Sequence, residues 1–203
     1  MKTFKTAIIG NGIIGTMIAY QLSKKKNSIA LIGPKNRKGS ASAAAGAMLN
    51  VFGEIDYDIE NNEYLKRKVS LGILATKKWN KLKKDSVFKD VFTADDTVIF
   101  QSKNATKLEK LCFNSIKKYA KKYKILINRH KKLTFLKNSK SFKSKKFFML
   151  KGEGAIDIKK LFNNLDNYLN NKKNITYLEN YATNILKIKN KNKIKLKNNK
   201  HIY

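Results

Sequence analysis

Cysteine, proline, histidine and arginine are all scarce in this sequence. Its 203 residues include one cysteine, Cys112, and one proline, Pro34. A lone cysteine excludes an intrachain disulfide and fits a reducing cytoplasm. Cys112 shares an apolar helical stripe with Leu108, Leu111 and Ile116, which places it in a core. The histidines, His130 and His201, stand apart with no ligand spacing around them, so no metal site is expected. No apolar run reaches the roughly 18 residues of a membrane span. Met1, Lys2 and Lys5 ahead of an apolar stretch imitate a signal peptide, but Asn11 and three glycines interrupt that stretch. Arginine is confined to Arg37, Arg67 and Arg129, although the formal net charge is +31. Bidentate reading of bases and phosphates favours arginine over lysine. The lysines, spread among asparagines and isoleucines, therefore predict a solvated surface with nonspecific affinity for polyanions. Residues 1–70 carry net +6 and the remainder +25, so the N-terminal segment is the least basic part.

What the sequence does contain begins at residue 4. Phe4–Ile9 ends apolar and predicts a buried strand. Gly10-Asn11-Gly12-Ile13-Ile14-Gly15 follows, then a helical stretch whose apolar positions Ile14, Met17, Ile18 and Leu22 fall on one face. Ser28–Ile32 predicts a second buried strand. Strand, glycine turn, helix, strand is the dinucleotide-binding βαβ unit. Gly10 permits the tight turn, Gly12 lets a pyrophosphate approach the backbone, and Gly15 lets the helix pack on the sheet. The first amides of the helix, at Ile13 and Ile14, then face the pyrophosphate, where the helix dipole favours negative charge.

The acidic residue that should close the second strand is missing, and Gly33 stands in its place. Lys35 and Arg37 follow in a Gly- and Pro-bearing loop. They keep open an NADP-linked reductase, and equally a reading as two surface cations. Next comes the small-residue block Ser40-Ala41-Ser42-Ala43-Ala44-Ala45-Gly46-Ala47-Met48-Leu49. Ser40 and Ser42 are able to cap a helix or donate to phosphate.

The pair of features, GNGIIG at 10–15 and SASAAAGAML at 40–49, resembles the FAD-dependent D-amino-acid oxidase family, which includes glycine oxidase, sarcosine oxidase-like enzymes and D-amino-acid dehydrogenases. The resemblance implies FAD as cofactor and an α/β fold. That fold is a Rossmann-like FAD-binding domain, residues 1–85 and 152–203, interrupted by a mostly β substrate-side segment, 86–151. It implies that Ser40, Ser42, Ala44, Ala45, Gly46 and Met48 line pyrophosphate and flavin beside Gly10, Gly12 and Gly15, and that the backbone around Ile185 touches the adenine. Gly152–Asp157 resembles the family's Gly-x-Asp-Pro stretch, with Ile158 in place of the proline. The implied reaction is oxidation of a carbon–nitrogen bond of an amino acid or amine by hydride transfer to flavin. In that family the groups that hold the substrate carboxylate follow the region matched here. The resemblance therefore implies an N-terminal portion, whose fold a second polypeptide would complete, and names no catalytic residue. A noncatalytic nucleotide- or RNA-binding remnant is the reading from another class.

The middle of the chain predicts a long helix over roughly 59–84, with acidic residues Glu54, Asp56, Asp58 and Glu60 at its start as dipole partners. Leu65, Val69, Gly72, Thr76 and Trp79 form its packing face. Strands are expected at 87–92 and 97–100 around an Asp95-Asp96 turn, at 125–127, 133–136 and 147–150, with a helix at 104–122. Residues 138–146 read as a basic loop. In the tail, alternating apolar residues at 185–188 and 194–196 predict a hairpin, and His201–Tyr203 starts a further strand.

Overall fold

The computed structural model describes residues 2–127 and 146–203. The expected strand at 133–136 and most of the loop at 138–146 lie outside the described residues. The chain forms two compact units, Met1–Gly46 with Ile158–Tyr203, and Ala47–Asp157. These boundaries differ from the 85 and 151 expected from the sequence. Residues 47–59 and 152–157 supply strand pairing and core side chains to the second unit.

In the first unit, strands β1 (Thr6–Ile9), β2 (Ile29–Gly33) and β7 (Ile175–Glu179) make a parallel sheet in the order β1-β2-β7. All five residues of β2 are buried, as a central parallel strand requires. Helix α1 (Ile13–Ser23) joins β1 to β2, and a short helix α2 (Ala41–Ala44) follows β2. Helix α5 (Ile158–Asn170) precedes β7 and buries Leu161, Phe162, Leu165 and Leu169, a three-four spacing that makes one apolar stripe. It packs on α1, where the Tyr20 and Tyr168 rings lie 5.2 Å apart. An antiparallel meander, β8 (Ala182–Ile188), β9 (Lys191–Leu196) and β10 (His201–Ile202), completes the unit. Its inward residues Ile194, Leu196 and Ile202 form a core with Ala30 and Ile32 of β2. The hairpin expected in the tail is present, turning through Lys189 at φ 52°.

Helix α1 does not bury the face that its apolar residues predict. Ile14 and Ile18 are exposed, and the buried residues are Thr16, Ala19, Tyr20 and Ser23. Small side chains let the helix approach its neighbours closely, and close approach decided the face over bulk.

The second unit is built on β6 (Lys146–Ile156), paired antiparallel with β3 (Met48–Leu49), β4 (Phe92–Gln101) and β5 (Leu126–Ile127). Helix α3 (Glu63–Leu82) buries Val69, and Trp79 packs edge-on against Phe88 and Phe92, the anchor expected of it. The acidic residues before α3 are partly held in ion pairs, Glu54 with Lys68 and Glu60 with Lys118. Asp95 and Asp96 do not make the expected turn. They sit within β4, where register shifts against β6 absorb the irregularity. Residues 86–88 form a short 3-10 helix rather than a strand. Helix α4 (Lys107–Lys122) buries Phe113, Ile116, Tyr119 and Ala120, while Leu108 and Leu111 are exposed. Cys112 is accordingly half-buried at the margin of that face, not in the core.

Among the described residues Glu153 is the one acidic side chain in the interior of this unit, at 1% exposure. Its Oε1 accepts hydrogen bonds from the amides of Val51 and Phe52, both at 2.6 Å, tying that segment to β6. Its Oε2 is buried with no partner among the described residues. Burial pushes the carboxyl above the usual carboxylate range, against the pull of the amides.

Candidate functional site

The glycine turn occupies residues 10–12, between β1 and α1. Gly10 has φ +100°, and its amide donates to Ile32 O at 2.8 Å, extending the β1–β2 ladder. Gly12 is the N-cap of α1 and has no side chain with which to satisfy the helix start. The amide of Ile13 is taken by Ser42 Oγ at 3.1 Å. The amides of Gly12, Ile14 and Gly15 have no partner among the described residues. A helix start with bare amides favours an anion both in geometry and in charge.

Close approach requires one glycine and leaves little room at another. A Cβ on Gly15 would lie 1.8 Å from Gly10 O, so only glycine lets α1 cross the turn there. A Cβ on Gly12 would lie 3.1 Å from Ser42 Oγ. The turn is therefore bare backbone, walled on one side by the serine–alanine block.

That block approaches the turn through Ser42. Ser40 caps α2 by accepting from the amide of Ala43 at 3.2 Å. Ala44, Ala45 and Gly46 are exposed, and nothing lies within 4 Å of where a Gly46 Cβ would be. Of the residues singled out in the sequence, the fold thus joins Gly10, Gly12, Ile13, Ile14 and Gly15 to Ser42 across 29 positions. Met48 lies in β3 of the second unit and is 65% exposed. Ile185 lies in β8, paired with Ile194, and its side chain is 53% exposed.

Sequence patterns missed the network beneath the turn. Asn11 is buried, and its Nδ2 donates to Pro34 O at 2.7 Å and to the Tyr177 hydroxyl. Its carbonyl accepts from Thr16 Oγ1 at 2.9 Å and from Arg37 Nε at 2.7 Å. The Arg37 guanidinium also forms a bidentate pair with Asp166, at 2.6 and 2.7 Å, and lies over the Phe162 ring. Burial opposes the Arg37 charge, but the Asp166 carboxylate outweighs it and raises the pKa. Burial likewise pushes the Tyr177 phenol up, so it stays neutral. Arg37 is thus committed to holding the fold together and is not free for a 2′-phosphate, which removes the stronger cation from the NADP reading. Beside it an open cavity of about 420 Å³ is lined by Lys35, Lys38, Phe162 and Asn163. No group of three or more His, Cys, Asp or Glu side chains suited to a metal occurs among the described residues. No helix among them is long and apolar enough to cross a membrane.

A family model described as FAD dependent oxidoreductase, DAO, matches residues 5–194. No curated protein sequence matches significantly. Among solved structures, glycine oxidase from Geobacillus kaustophilus matches with a TM-score of 0.75 at 15% identity, over 100% of this chain and 53% of that one. L-Amino acid deaminase from Proteus myxofaciens, in complex with anthranilate, matches with a TM-score of 0.74 at 13% identity, over 100% and 44%. L-α-Glycerophosphate oxidase from Mycoplasma pneumoniae, with FAD bound, matches with a TM-score of 0.71 at 17% identity, over 100% and 53%. At these identities the likeness is one of fold. The chain spans about half the length of the solved structures it matches.

Proposed function

This chain belongs to the DAO family of FAD dependent oxidoreductases, and from that we propose that its first unit is the FAD-binding one, with the dinucleotide held at the start of α1. The observation that carries this is the set of bare amides at Gly12, Ile14 and Gly15 beside Ser42. The turn fits the group. It offers donors without acceptors, a helix start that favours negative charge, and no side chain between backbone and ligand. Ser42 Oγ accepts from Ile13 and so keeps its own proton to donate to a diphosphate oxygen. Ser40, Ala44, Ala45 and Gly46 extend the same wall, and β8 around Ile185 takes the adenine. The second unit belongs to the substrate side.

The reaction we propose is oxidation of a carbon–nitrogen bond in an amino acid or amine. Bound FAD supplies the acceptor for the hydride that leaves the amine-bearing carbon, and the imine so formed hydrolyses to a carbonyl compound and ammonia. Glycine oxidase and L-amino acid deaminase among the similar structures support the amine reading; the glycerophosphate oxidase among them supports a carbon–oxygen bond instead. The single cysteine supports a cytoplasmic location.

The test is to purify the chain together with any polypeptide that completes its fold, load it with FAD, and mix it without oxygen with glycine, with D- and L-amino acids and with glycerol phosphate. Bleaching of the flavin bands by an amine, with release of ammonia, is the expected result. Bleaching by glycerol phosphate alone overturns the carbon–nitrogen assignment. A chain that takes up no FAD overturns the cofactor assignment as well.

A further inference from the structure

We propose that Glu179, at the end of β7, supplies the carboxylate for the ribose hydroxyls of the bound dinucleotide, in place of the acid missing from the end of β2; this rests on the FAD reading above. A βαβ dinucleotide unit ordinarily places that acid on the last residue of the second strand. Here the position is Gly33, and it is closed to any side chain. A Cβ there would lie 2.3 Å from Asn11 Cγ and 2.4 Å from Asn11 Oδ1. Asn11 has no room to yield. Its carboxamide is bonded to Pro34 O and the Tyr177 hydroxyl, and its carbonyl to Thr16 and Arg37.

The neighbouring strand offers the alternative. In the parallel β2–β7 ladder Gly33 is in register with Glu179, and the amide of Asn180 donates to Gly33 O at 3.2 Å. Residues in register across a ladder share a face, and so do residues two apart along a strand. Tyr177 lies two residues before Glu179, and its hydroxyl meets the Asn11 side chain that fills the space over Gly33. Glu179 therefore shares the face on which the missing acid would stand, displaced by one strand spacing, about 4.8 Å. The residue is exposed, and its carboxylate makes no hydrogen bond or ion pair among the described residues, in a chain of 45 cationic side chains. The other carboxylate close by, Asp166, is taken by Arg37.

Calorimetric titration of the full chain with ADP, with 2′-deoxy-ADP and with ADP carrying a 2′-phosphate decides the matter. The wild-type chain is expected to bind ADP about tenfold or more tightly than either analogue. One analogue loses a hydrogen bond to a charged acceptor, and the other brings a phosphate to a carboxylate. Glu179→Ala should erase both preferences, and Glu179→Gln should erase the one against phosphate. Making room for an acid on β2, with Asn11→Gly and Gly33→Glu in the Glu179→Ala chain, should restore them. Glu179 is exposed, so the single variants stand as tests even if the triple variant does not fold. Preferences that survive Glu179→Ala, or a wild-type chain without any, overturn the inference while leaving FAD binding intact. A wild-type chain that takes neither ADP nor FAD overturns the cofactor reading and this inference with it.

Discussion

Gly12 and Gly15 look alike in the motif, and the structure gives them different sensitivities to the same substitution. Alanine at Gly15 puts a Cβ 1.8 Å from Gly10 O, a backbone atom that cannot rotate away. Ordinary contact begins near 3.4 Å, so the turn and α1 must separate by about 1.6 Å. Overpacking of this kind costs about 1–3 kcal/mol, and a backbone obstacle belongs at the upper end. Alanine gains about 1 kcal/mol of helix propensity over glycine, which leaves a net loss of about 2 kcal/mol. For a chain of this length that lowers the melting temperature by about 4–8 °C. Alanine at Gly12 meets only Ser42 Oγ at 3.1 Å, the end of a side chain that is able to turn aside at the expense of its bond to the Ile13 amide. Its effect on stability should stay within about 1 kcal/mol, the worth of that one bond. The Cβ would nevertheless stand where the diphosphate approaches, so FAD affinity should fall. Thermal melts of both variants without FAD, followed by circular dichroism, check the first contrast, and FAD titrations check the second. Equal melting temperatures, or a larger loss at Gly12 than at Gly15, would refute the reasoning.

Three further outcomes follow from the packing. Glu153 holds its proton more tightly in the folded chain than in the unfolded one, so the stability it contributes is complete below the ordinary carboxylate pKa and declines as pH rises through its raised value. Glu153→Gln should flatten that decline, and a wild-type-minus-variant difference in melting temperature that is constant with pH would contradict it. Arg37→Leu strands Asp166, leaves the Asn11 carbonyl with Thr16 as its one remaining donor, and should cost about 2 kcal/mol in denaturant unfolding. Arg37→Lys should recover only part of this, because lysine cannot make the fork; full recovery would count against the bidentate contact. Thr106→Ala removes the capping box at the start of α4, where Thr106 and Glu109 bond reciprocally, and should cost about 1 kcal/mol by the same measurement.

The parts of the fold that were legible in the sequence are those built from local signals. Strand, glycine turn, helix and strand over 6–33 follow from periodicity and glycine spacing, and the tail hairpin follows from alternation. What depends on distant partners was not legible. The Ser42–Ile13 bond spans 29 positions, and no local pattern announces it. The buried face of α1 was misread because its contacts run through Thr16, Ala19 and Ser23, while Ile14 and Ile18 stay outside. The Asp95-Asp96 pair looks like a turn in isolation, yet the length of β6 keeps it in a bulged strand. Gly33 looked like a missing acid, and only the packing of Asn11 shows that no side chain fits there. Arg37 looked like a free cation because its partner, Asp166, lies 129 positions away.

The claim beneath all of this is that the diphosphate of FAD binds the bare amides at the start of α1. Isotope-labelled chain titrated with FAD, with each backbone amide followed by magnetic resonance, tests it most directly. The account predicts that Gly12, Ile14 and Gly15 shift the most, and that they saturate together with the change in flavin fluorescence. FAD binding that leaves those three amides unmoved, while others shift, would contradict it.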